Sequence, residues 1–118
     1  MDSESLKATE AYSASKATHP RVSLDDMKAK IRRAHYFTAG AAIAALSQPT
    51  DPNCPTDLLT ICILVMENGF TVIGKSAPAS PENFDAEKGC LFAYEDAIKQ
   101  LWPLEGYALR ERLAVGVN

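Results

Sequence analysis

The stretch from Leu58 to Leu113 constrains this chain more than any other, because each of its junctions carries its own start or stop signal. The run Leu59 to Met66 is β-branched and almost wholly apolar, which predicts a strand buried on both faces or against a partner chain. Glu67-Asn68-Gly69 then supplies a turn, since Asn and Gly tolerate the positive φ angles of a tight hairpin. The return strand is expected over Phe70 to Lys75, with Gly74 marking a bulge, the commoner cause, or a close approach by another backbone or a ligand.

A long helix is expected next. Ser80-Pro81 supplies a capping hydroxyl and a proline suited to the first helical position. Pro103 disfavours helix at Trp102, so the spacing predicts a break there and a second, shorter helix to Leu113, closing a helical hairpin. One stripe of the long helix holds Phe84, Leu91, Ile98 and Trp102, and the next holds Ala86, Gly89, Cys90, Ala93 and Ala97. The small stripe lets a neighbour approach closely, within the fold or across an oligomer interface.

Upstream, Ser23 stands as an N-cap before Leu24-Asp25-Asp26-Met27, with Leu24, Met27 and Ile31 at helical spacing. The acids lie at the start and Lys30, Arg32 and Arg33 at the end, as the helix dipole favours, so this basic run reads as dipole complement before it reads as a phosphate site. Residues 35–46 fit either a continued helix or an edge strand followed by an alanine-rich helix. Pro49, Pro52 and Pro55 make residues 47–56 a loop. Residues 1–21, rich in Ser, Ala, Thr and Lys without apolar periodicity, read as a mobile N-terminal tail ahead of a single domain over 22–118. The expected fold is α+β: a small antiparallel β-hairpin or sheet packed against a helical hairpin and an N-terminal helix.

Composition enters as a filter on function. A chain of 118 residues with 47% hydrophobic and 23% charged content can bury a modest core without staples. Twelve Lys plus Arg against fifteen Asp plus Glu give net charge -3, which argues against nucleic acid as the main partner. No run approaches the roughly 18 apolar residues of a membrane span, and Met1-Asp2-Ser3-Glu4 does not begin a signal peptide, so a cytoplasmic setting is expected. Cys54, Cys62 and Cys90 are odd in number and widely spaced, which fits reduced thiols rather than a disulfide framework or a metal site.

No catalytic constellation emerges. His19 falls in the tail, His35 reads as a structural histidine beside aromatics, and Glu82/Asp85 and Glu95/Asp96 are carboxylates of an exposed helix side. Neither a phosphate loop nor a dinucleotide fingerprint occurs. A binding role is better equipped. Tyr107, Arg110 and Arg112 can grip a phosphate or anchor an interface, although Arg110 and Arg112 point to different sides of a helix. A homo-oligomer, expected from the apolar strand and the small-residue stripe, would bring Arg110 of one subunit beside Lys75 or Asn83 of another. Lys75, Asn83, Tyr107, Arg110 and Arg112 are therefore the candidate ligand- or partner-binding residues, with no cofactor or metal expected.

The segments Thr60-Ile61-Cys62-Ile63-Leu64-Val65, Asn68-Gly69-Phe70-Thr71-Val72, Ser80 to Gly89 with its Asn83-Phe84-Asp85, and Leu101-Trp102-Pro103-Leu104-Glu105-Gly106-Tyr107 resemble a family of small phage proteins. It is typified by coliphage N-four gene product forty-nine and Shigella phage Sf-six gene product sixty-six. The likeness spans residues 24–113. It implies an accessory phage or prophage protein acting inside an infected bacterium, and it carries no catalytic residues to transfer. Two functions follow as expectations: a non-catalytic binder that modulates a host factor, such as a defence system, or an oligomeric sponge for a nucleotide-derived immune signal.

Overall fold

The computed structural model describes residues 4–16 and 19–116, and the architecture is α+β. Helix α1 spans Glu4–Lys16 and α2 spans Leu24–Ala29; strand β1, Ile31–Thr38, leads into α3, Ala39–Ala45. After the proline-rich loop and a 3-10 turn at Pro55–Leu58 come β2, Thr60–Met66, and β3, Thr71–Ser76. A second 3-10 turn, Pro81–Asn83, precedes the long helix α4, Ala86–Ala114. The strands form one antiparallel sheet in the order β1-β2-β3, with Ile63 opposite both His35 and Ile73 and Cys62 opposite both Tyr36 and Gly74.

Helix α4 lies across one face of this sheet. Cys62, Leu64 and Met66 of β2 and Val72 of β3 are buried against Ala93, Tyr94, Ala97, Ile98 and Leu101 of α4, and Leu24 and Met27 of α2 complete the core. Each large side chain buried here contributes about 1.5–3 kcal/mol through removal from water. The alternate residues of β2, Ile61, Ile63 and Val65, are only half-buried. Of the two expectations, burial on both faces or against a partner chain, the first is thus corrected: one helix layer covers one face, and the run is apolar on both.

Ala93 and Ala97 of the small-residue stripe of α4 are consumed inside the chain, while Ala86 at its start is exposed. A Cβ at Gly74 would stand 2.1 Å from the Ala93 carbonyl oxygen and 2.4 Å from the Ala97 nitrogen, so the helix backbone rides directly on the strand. Gly74 therefore marks a close approach and not a bulge, and the β2–β3 register runs through it unbroken. The Asn68-Gly69 turn is as expected: Gly69 has φ of 88°, and the Asn68 side chain accepts from the Phe70 N–H at 2.9 Å.

Three further expectations are corrected. Of the basic run only Lys30, the C-cap of α2, stands at a helix end, because Ile31, Arg32 and Arg33 belong to β1; residues 35–38 are edge strand and α3 follows. Ser80-Pro81 opens only the 3-10 turn. The Ser80 hydroxyl donates to the Glu82 carboxylate, which lowers the Glu82 pKa, and α4 is instead capped by Asp85, whose carboxylate accepts from the Lys88 N–H at 3.1 Å. Finally, α4 runs through Pro103, so there is one helix and no helical hairpin. Proline withholds one N–H, which leaves the Lys99 carbonyl open; both residues are exposed, so water can satisfy it.

Within the expected tail, residues 4–16 form α1; residues 1–3 and 17–18 lie outside the described ones. The helix carries no apolar stripe, which is why no periodicity announces it. Leu6 packs against the edge of the core, and Glu10 ties the helix to the body through hydrogen bonds. The Glu10 carboxylate accepts from the Arg21 guanidinium and from the Leu24 N–H, both at 2.8 Å, satisfying a first-turn amide of α2.

Candidate functional site

The sheet ends at the Asn68-Gly69 turn, and beside it α2 ends at Lys30 while α4 passes with its second half. The Glu67 N–H donates to the Lys30 carbonyl at 2.8 Å, which fixes the α2–β1 junction against the hairpin. Across the gap the Lys30 ammonium meets the Glu105 carboxylate at 2.6 Å. Around this pair open two adjoining cavities of about 480 and 520 Å³, which share Lys30, Glu67, Glu105 and Arg112. Met66, Phe70, Leu101, Leu104 and Ala108 give the first an apolar floor, and Arg21 and Asp26 extend the charged rim along the second. A shallow apolar groove of about 550 Å³ continues past Phe70 and Leu104 along β3 to Ile73.

The rim alternates three cations, Lys30, Arg112 and Arg21, with three carboxylates, Asp26, Glu67 and Glu105. Two of the cations are already engaged, Lys30 by Glu105 and Arg21 by Glu10. Such a cleft can bind and orient. No Ser, Thr, Cys or His lines either cavity among the described residues.

The thiols lie elsewhere. Cys62 is fully buried beneath α4; burial pushes its thiol up to about 11, against a smaller lowering from its hydrogen bond with Tyr36. At neutral pH it is a protonated, poorly nucleophilic thiol. Burial, and then the neighbouring Cys62, raises the Tyr36 hydroxyl as well. His35 is exposed on the sheet face opposite α4, where it does not stand among buried aromatics as a satisfied core histidine would. Among the described residues no cluster of three metal-ligating side chains occurs.

Of the five residues expected to bind, the structure brings only Arg112 to the cleft. Tyr107 and Arg110, three apart, share an exposed side of α4 turned away from it. Lys75 stands at the far end of β3, its backbone N–H donating to Asp96 at 2.9 Å, and Asn83 lies in the turn before α4. Asp96 and Arg110 are fourteen residues apart, about 21 Å along the helix, so Lys75 and Arg110 form no single site within one chain. Glu105 pairs with Lys30. The residues that sequence reasoning missed are Leu101, Leu104, Glu105 and Ala108. Their spacing with Arg112 is that of one helix face, a signal hidden once the helix was broken at Pro103.

Comparison with known proteins finds a match to a phage protein family. The model of the Phage protein (N4 Gp49/phage Sf6 gene 66) family matches residues 22–113. No curated protein and no solved structure matches the chain.

Proposed function

The chain belongs to the Phage protein (N4 Gp49/phage Sf6 gene 66) family, and from that premise we propose that it is a non-catalytic binder that modulates or inhibits a host factor in the infected cell. The observation that carries this reading is the cleft beside the hairpin turn, with its apolar floor and its rim of alternating charge. A small nucleotide-derived anion needs a net positive pocket, whereas here it would meet Asp26, Glu67 and Glu105. A polypeptide segment with apolar anchors and side chains of both signs fits that rim, and exposed Phe70, Ile73 and Leu104 extend the apolar contact beyond it. Among the described residues no helix is long and apolar enough to cross a membrane.

The test is an affinity pull-down from infected cells with the wild-type chain and with Arg112→Glu, the eluates being read for both proteins and small molecules. One dominant host protein, retained by the wild type and lost from Arg112→Glu, is the expected result. An eluate without a specific protein overturns the reading. If that eluate also releases a nucleotide, and cyclic nucleotides or ADP-ribose derivatives raise the melting temperature, the sponge function replaces it.

A further inference from the structure

The two edges of the sheet are finished differently. On β3, α4 closes the outer side: Gln100 Nε2 donates to the Ile73 carbonyl at 2.6 Å and Asp96 accepts from the Lys75 N–H at 2.9 Å. On β1, whose ladder is irregular at Arg32 and regular from Arg33 to Thr38, no strand lies along the outer side among the described residues, and Arg32, Arg33, Ala34 and His35 are all exposed. An open edge of this length is a template for another strand. Twofold pairing of β1 with β1 uses the open edge of both copies, and with the Ile73 carbonyl and Lys75 N–H of β3 already engaged by α4 it ends with two copies.

The phase of the ladder says which groups face outward. The Met66 N–H donates to Phe70, so Met66 turns toward β3; by the two-residue period Val65, Ile63 and Ile61 turn toward β1. Their partners Arg33, His35 and Phe37 therefore turn inward, and Ala34 directs its N–H and C=O to the open side. The same reasoning points Ile73 and Lys75 outward on β3, where Gln100 and Asp96 meet them. The Tyr36 hydroxyl is bonded to Cys62 on the helix side of the sheet and takes no part at the edge.

We propose that β1 pairs antiparallel with β1 of a second copy about a twofold axis at His35, joining two three-stranded sheets into one of six strands. Charge favours a second copy as the partner and excludes the registers centred on Ala34 and Arg33, and the cation over a ring favours His35 as the centre. The cations of β1, Arg32 and Arg33, fill its first half and Phe37 and Thr38 its second, so antiparallel self-pairing sets each cationic half against an uncharged one. Centred on His35, the pairing places Arg33 opposite Phe37 of the second copy, a cation over a ring. Centred on Ala34 it would oppose Arg33 to His35, and centred on Arg33 it would oppose Arg33 to itself. A parallel pairing would align the arginines of both copies. The inference is independent of the cleft, which lies at the hairpin end against α4.

Cross-linking tests the register. His35 would form a non-hydrogen-bonded pair with its own copy, at a Cα separation of about 4.5 Å, within the roughly 4.4–6.8 Å that a disulfide spans. In a Cys54→Ser, Cys90→Ser background, which removes both partly exposed thiols, mild oxidation of His35→Cys should give a species at twice the 12.8 kDa of one chain on a non-reducing gel, and Ile73→Cys on the β3 edge should not. Light scattering of the wild type should return the dimer. Ala34→Pro, which removes an outward N–H, should return a monomer with an unchanged circular dichroism spectrum. A monomeric wild type at about 100 µM, well above the micromolar Kd of an ordinary specific dimer, overturns the proposal, as does equal cross-linking of His35→Cys and Ile73→Cys. If Ala34→Pro fails to fold, the cross-linking pair decides alone.

Discussion

At Gly74 a single hydrogen atom sets the distance between sheet and helix. A methyl group there would overlap the Ala93 carbonyl and the Ala97 nitrogen, both of them backbone atoms that no rotamer change can move. Gly74→Ala should therefore lower the urea midpoint by the equivalent of about 2 kcal/mol or more, the cost of overpacking a filled core. Gly106, inside α4 itself, has open space where its Cβ would stand, and Gly106→Ala should raise stability by about 0.5–1 kcal/mol. Equal effects of the two changes would show that α4 does not ride on β3 as described. The pair also measures what a sequence can say at this scale. Gly69 was legible because its positive φ is demanded by a turn within four residues. Gly74 was legible only as a choice between bulge and close approach, because its neighbour arrives from some twenty residues downstream and leaves no mark on the strand itself.

Elements were legible where their signals are local and uncontested, as for β2, the turn and β3. The start of α4 was contested. Ser80-Pro81 and Asp85 are both acceptable openings, and the outcome turns on a side-chain contact: the Ser80 hydroxyl is drawn to Glu82, while Asp85 takes the Lys88 N–H. Asp85→Ala should then cost about 1 kcal/mol, the usual loss for an N-cap, and Ser80→Ala only a few tenths, by the same denaturation measurement. The reverse order would restore Ser80 as the cap. The far end of α4 misleads for a related reason. A proline penalty of about 3 kcal/mol in an isolated helix is outweighed where Leu101 and Ile98 before it and Leu104 and Ala108 after it all gain contact with the sheet or the cleft. Sequence alone gives the penalty but not the contacts, and with the helix cut in two the cleft-lining face could not be seen.

On the scale of the whole molecule, the Lys30–Glu105 pair links the α2–β1 junction to α4 across seventy-five residues, a separation that no local pattern encodes. It could serve the fold, the cleft, or both, and charge reversal separates these roles. The Lys30 side chain is 42% exposed, so solvent screens the pair and its coupling should stay below about 1 kcal/mol. Lys30→Glu and Glu105→Lys, made singly, each set like charges against each other in the cleft and should lower Tm by about 4 °C, the shift that roughly 1 kcal/mol produces in a chain of this size. Made together, they restore an opposite-charge pair and should return Tm to within about 2 °C of the wild type. Retention of the host protein should not return, because the rim would then offer its cation and carboxylate in exchanged places to a partner complementary to the original order. A double variant that recovered both stability and retention would show that the pair acts only as a structural tie, and would move recognition to the apolar groove around Phe70 and Leu104.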